Sequence, residues 1–106
     1  LIMIVVCVEQ DAEGIRMMDV SGHAMQAPHG EDLVCAGVSC IMTGALNALD
    51  ELVPQTCDLA MQAGHISIRM KEADQRTRLL LAAVLIQLRT MEAQFSQYMK
   101  ITVQEV

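Results

Sequence analysis

Between positions 33 and 52 the apolar residues Leu33, Val34, Val38, Ile41, Met42, Ala45, Leu49 and Leu52 recur at three- and four-residue steps. Only a helix brings residues with that spacing onto one side. The pattern predicts a helix from about position 31, stopped by Pro54, which lacks a backbone donor and clashes with the preceding turn. A helix with such a stripe has to lay it against another apolar surface. Gly37 and Gly44 lie inside the run, and each costs a helix interior roughly 1 kcal/mol. Close packing against a sheet is the expected gain that offsets them.

The rest of the chain supplies strands and a second helix. The opening LIMIVVCV is apolar throughout and reads as a strand to Glu9, followed by a turn at 10–14. IRMMDVS alternates well enough to be its antiparallel partner. Residues 57–61 form a weaker strand candidate, and Gln62-Ala63-Gly64 a turn. HISIRMK then alternates cleanly, with Ile66, Ile68 and Met70 on one face and His65, Ser67 and Arg69 on the other. Asp74 is an N-cap for a second helix running to about Tyr98, and MKITVQEV is a last strand. The predicted order is strand, strand, helix, strand, strand, helix, strand. That is a small α/β fold with a mixed five-stranded sheet and two long helices, one domain over residues 1–106.

Composition limits the partners. Phe95 and Tyr98 are the only aromatics, so there is little on which nucleic-acid bases could stack. The net charge of −6 opposes a phosphate backbone and favours a basic peptide. No direct nucleic-acid partner is expected. The apolar run 79–86 is too short to span a bilayer, and LIMIVVCV has neither a basic leader nor a small-residue cleavage site. A cytoplasmic protein without a membrane partner is therefore expected. Cys7, Cys35, Cys40 and Cys57 are read as reduced thiols, each buried by default.

One stretch carries chemistry: GHAMQAPHGEDLVCAGVSC, residues 22–40. His23 follows a predicted strand end, a loop spans 24–30, and Cys35 falls in the first or second turn of the helix. A thiol attacks as its thiolate, which the positive end of a helix favours. A facing imidazole can take the thiol proton and later protonate the leaving amine. Unpaired first-turn N–H groups could stabilise an oxyanion. Asp32 and Ser39, three before and four after Cys35, share its helix face. Asp32 is either a partner for His23 or a basic substrate residue, or simply a first-turn acid. Ser39 is either a hydrogen-bonding site residue or a small residue that permits close packing.

Gly22-His23-Ala24, a loop of this length, then Asp32, Leu33-Val34, Cys35-Ala36, Gly37-Val38 and Ser39 closely resemble the signature of the Prp family, bacterial ribosomal-processing cysteine proteases. Gly64-His65 at a strand start, the long second helix and the last strand fall in matching order. Pro28 and His29 stand where relatives more often carry Gly, acidic or Tyr residues. The resemblance implies His23 as general base and Cys35 as nucleophile of a dyad. Gly22, Asp32 and Ser39 would be supporting or substrate-binding residues. It also implies a homodimer without metal or cofactor, and a substrate: the N-terminal extension of the precursor of the large-subunit ribosomal protein numbered twenty-seven. The 24–30 loop would move to admit the peptide. His65 matches a family position, although in a strand it can be purely structural.

Three rival readings of these residues differ in the chemistry they require. A metal site could draw on His23, His29, Cys35 and Cys40, yet residues five apart on a helix point in different directions, unlike paired zinc cysteines on turns. A thiol-redox protein would resolve an oxidised Cys35 with Cys40, Cys7 or Cys57, but no CxxC is present. A non-enzymatic peptide-binding protein on the same fold would gain nothing from a facing His and Cys.

Overall fold

The structure, a computed structural model, describes residues 3–22 and 29–106, and of 29–32 the backbone alone. Its elements run β1 (Ile4–Asp11), β2 (Gly14–Ser21), α1 (His29–Leu52), β3 (Cys57–Gln62), β4 (His65–Met70), α2 (Gln75–Gln94) and β5 (Met99–Glu105). The strands form one sheet in the order β3-β4-β2-β1-β5, with β5 parallel to β1 and the other pairs antiparallel. The mixed five-stranded sheet with two helices is the architecture the sequence predicts.

Strand alternation puts one face into the core. Val6 and Val8 of β1 pair with Val20 and Met18 of β2, which pair in turn with Ile66 and Ile68 of β4. All six are buried. The neighbours Cys7, Asp19 and Ser67 point to the opposite face. The hairpin carries one irregularity: Glu9 pairs with Met17 and Gln10 with Ile15, so Arg16 is an extra residue. That bulge reverses the alternation and returns Ile15 to the core.

Both helices cover this single face. Val34, Val38, Met42, Ala45 and Leu49 of α1 and Leu81, Val84 and Leu88 of α2 join the sheet residues in one cluster. By length and composition, the 20 residues Leu33–Leu52 could cross a bilayer, with mean hydropathy 1.5 over an 18-residue window. Here its apolar stripe is spent on the protein's own core. Gly37 does sit at a close approach, but against the other helix: a Cβ there would lie 2.6 Å from Met91 Cε. Among the described residues no atom lies within 4 Å of a Cβ at Gly44, so their packing does not account for it.

Polar contacts fasten the ends. Asp74 caps α2 as predicted, accepting from Arg76 N–H at 2.8 Å and Thr77 N–H at 3.2 Å. The Arg76 side chain and these amides hold its carboxyl below the usual range. Arg78 reaches from α2 to the β1–β2 turn and donates to Asp11 at 2.8 Å and to Gly14 O at 3.0 Å. This guanidinium, with the Glu13 N–H, lowers the Asp11 carboxyl as well. Buried Thr77 donates to Thr56 Oγ1, which donates to Val53 O, so both hydroxyls are satisfied.

Two boundaries differ from expectation. α2 ends at Gln94 rather than near Tyr98: Phe95 N–H bonds Met91 O, and Tyr98 N–H bonds Phe95 O as the chain turns into β5. α1 begins at His29, taking in the last two residues of the expected loop. The four thiols are free, and Cys7 and Cys40 are exposed rather than buried.

Candidate active site

The site starts at a strand end. β2 is paired on both sides, Ser21 lying between Val5 and His65. Gly22 follows in the left-handed region, φ +91°, and its N–H donates to Gly64 O at 3.2 Å. A Cβ at Gly22 would lie 2.3 Å from the Met3 carbonyl oxygen, so only glycine fits this crossing unchanged. On the outer face His65 Nε2 donates to Asp19 Oδ1 at 2.6 Å, which ties β4 to β2 beside the same point. The chain is thus fixed where it passes to His23. His23 itself and 24–28 lie outside the described residues, as do the side chains of His29 and Asp32.

Cys35 is the seventh residue of α1. It packs against the core between the fully buried Val34 and Val38, yet stays half-exposed. Because α1 starts early, Cys35 is in the second turn, where the Cys35 N–H pairs within the helix. The helix-end field fades within the first turn. The unpaired amides belong to the turn before it. Of the other thiols, Cys57 is pushed up mainly by burial, which disfavours its thiolate.

Ser39 lies one turn beyond Cys35, about 6 Å along the axis. It is half-buried and lines a groove of about 360 Å³ with Thr43, Met61, Gln62, Gly64 and Ile66. Gly64 is the shared point: it accepts the Gly22 amide and forms one wall of the groove that Ser39 lines. The strand end leading to His23 and the helix face carrying Cys35 therefore converge at the β3–β4 turn. Thr43 and Met61 were not singled out from the sequence. The signal was there in Leu59 and Met61, spaced by two on the helix side of an edge strand.

Across the chain, the sequence model of the cysteine protease Prp family matches residues 3–100. The chain belongs to the Prp cysteine protease family. The ribosomal processing cysteine protease Prp of Bacillus subtilis is 32% identical over 97 residues, 85% of this chain and 87% of that one. Its Staphylococcus aureus counterpart is 31% identical over 104 residues, 93% of this chain and 97% of the relative. The crystal structure of S. aureus Prp with a substrate peptide superposes with a TM-score of 0.85 at 27% identity, covering 96% of this chain and all of that one. A Streptococcus mutans protein shares the fold, with a TM-score of 0.88 at 23% identity. As a Prp family member the chain is a cysteine protease, and its five-stranded sheet with two helices is the Prp fold.

Proposed function

We propose that this chain is the endopeptidase that removes the N-terminal extension from the precursor of the large-subunit ribosomal protein numbered twenty-seven. In this reading Cys35 is the nucleophile and His23 the general base. The imidazole takes the thiol proton, and the thiolate attacks the scissile carbonyl carbon. The C–N bond then breaks as the imidazolium protonates the departing amine. Water, deprotonated by the same imidazole, hydrolyses the thioester and regenerates the thiol. Gly22 fixes the strand end from which His23 departs, and Asp32 and Ser39 support the site. The enzyme would act in the cytoplasm as a homodimer.

The observation that carries this reading is the partly buried Cys35, one helix turn before Ser39 in a groove that also holds Gly64, the acceptor of the Gly22 amide. Support comes from relatives named for ribosomal processing and from an S. aureus Prp structure with a covalently linked product peptide. The test is mass spectrometry of the full precursor after incubation with this protein. The expected result is one cut near the N-terminus that yields two fragments. A precursor left intact, or cut at many unrelated positions, contradicts the assignment.

A further inference from the structure

α1 and α2 run along the core face of the sheet in opposite directions, so later residues of one meet earlier residues of the other. Ala45 and Leu49 of α1 share a crevice with Leu80 and Val84 of α2. Toward the start of α1, Gly37 meets Met91. A Cβ on Gly37 would lie 2.6 Å from Met91 Cε and 3.2 Å from its Sδ, so the thioether rests on the bare backbone of the helix. Met91 is half-buried against the core, and its carbonyl accepts the Phe95 N–H at 2.9 Å where α2 ends. Gly37 is two residues past Cys35, about 200° around the helix and about 3 Å along it. Val34 and Val38, both fully buried, point into the core between these two flanks.

We infer that Met91 is a positioning residue for the protease reaction: seated in the notch at Gly37, it fixes the roll of the α1 turn that carries the Cys35 sulfur. The inference rests on the reading of Cys35 as the nucleophile. Val34 and Val38 set the depth of this turn against the sheet, but a helix held along one stripe is still able to roll about its axis. A contact on the flank opposite Cys35 stops that motion. A roll of about 10° swings an atom about 5 Å from the axis by about 1 Å. Displacements of that size at a reacting group cost roughly a hundredfold in rate. The thioether fills the notch at the density of a protein interior, so removing it leaves a void into which the helix can roll.

The experiment measures kcat and KM for cleavage of the precursor, the melting temperature, and the labelling of Cys35 by iodoacetamide at pH 6. Four variants are compared with wild type at a temperature where all are folded. Gly37→Ala fills the notch and displaces the Met91 methyl, which as the free end of a flexible side chain swings aside at little cost. Met91→Ala empties the notch, and Met91→Leu keeps its volume. Val84→Ala is the control, because it removes buried apolar surface at the far end of the same seam.

Gly37→Ala should melt no lower than wild type, because alanine is the better helix former, yet its kcat should fall by at least about tenfold with KM within about threefold. Met91→Ala should lose kcat to the same degree and melt several degrees lower. In both, Cys35 should lose most of its labelling advantage over Cys7 and Cys40. Met91→Leu should keep kcat within about threefold of wild type. Val84→Ala should melt lower and keep wild-type kcat, because a merely structural seam links rate to stability and a positioning contact does not. Wild-type kcat in either Gly37→Ala or Met91→Ala overturns the inference. So does equal slowing by Val84→Ala, or a Met91→Leu variant as slow as Met91→Ala. If wild type neither cuts the precursor nor labels Cys35 faster than Cys7 or Cys40, the protease reading itself has failed and the inference falls with it.

Discussion

Cys35→Ala is expected to reduce cleavage of the precursor by at least about 10⁴-fold, because only binding and residual electrostatic assistance survive loss of the nucleophile. Cys35→Ser should be almost as inactive, since a hydroxyl gives up its proton far less readily than a thiol. The fold should survive both. Cys35 is half-exposed, so the substitution removes few core contacts, and the melting temperature should move by no more than a few degrees. Cys40→Ala makes the comparison decisive. Cys40 is exposed on the side of α1 facing Leu80 and Gln87, and has no part in the proposed chemistry. It should retain full activity. Equal damage from Cys40→Ala and Cys35→Ala would point to a pair of thiols acting together, which is the redox reading.

Gly22→Ala should be damaging in a different way. The added methyl would lie 2.3 Å from a backbone oxygen, which cannot swing aside as a side-chain end can. The residue must also keep φ near +91°, where an L side chain is strained by about 1–3 kcal/mol. Relief requires β2 and the segment at Met3 to separate, which moves the point of departure of the chain toward His23. Displacements of about 1 Å at a catalytic group cost roughly a hundredfold in rate. Both the melting temperature and kcat should therefore fall. Gly44→Ala supplies the contrast, since nothing among the described residues lies within 4 Å of its added methyl and the helix gains a better helix former. It should be active and at least as stable as wild type. Wild-type stability and activity in Gly22→Ala would refute the strand-end argument.

The sequence showed the fold wherever one periodicity matched one environment. HISIRMK alternates because β4 has a covered face and an open one, and the α1 stripe shows because one side of that helix is buried. β3 read weakly because it is an edge strand whose helix-side residues Leu59 and Met61 are themselves left exposed. The end of α2 misled for the opposite reason. Phe95 and Tyr98 pack on the same core as the helix, so the apolar spacing continues after the helix has ended. Gly30 hid the start of α1, because glycine reads as loop. The bulge at Arg16 reverses a parity that no local pattern announces.

For the site, the motif displayed the two reacting residue types and the glycine before the histidine. What it withheld was convergence. That the Gly22 amide and the groove beside Ser39 meet at Gly64 depends on pairing between segments some forty residues apart, and no spacing reveals it. Asp19 was passed over for the same reason. Its carboxylate is ordinary strand polarity until β4 brings His65 alongside.

The most direct test of the account is the rate at which iodoacetamide labels Cys35 at pH 6, read by peptide mass spectrometry in wild type and in His23→Ala. Only the thiolate reacts, and an imidazole holding the proton keeps the sulfur in that form. Wild-type Cys35 should label at least about tenfold faster than the exposed Cys7 and Cys40, and His23→Ala should erase that advantage. Labelling of Cys35 at the same rate in both proteins would mean that the two side chains do not act together.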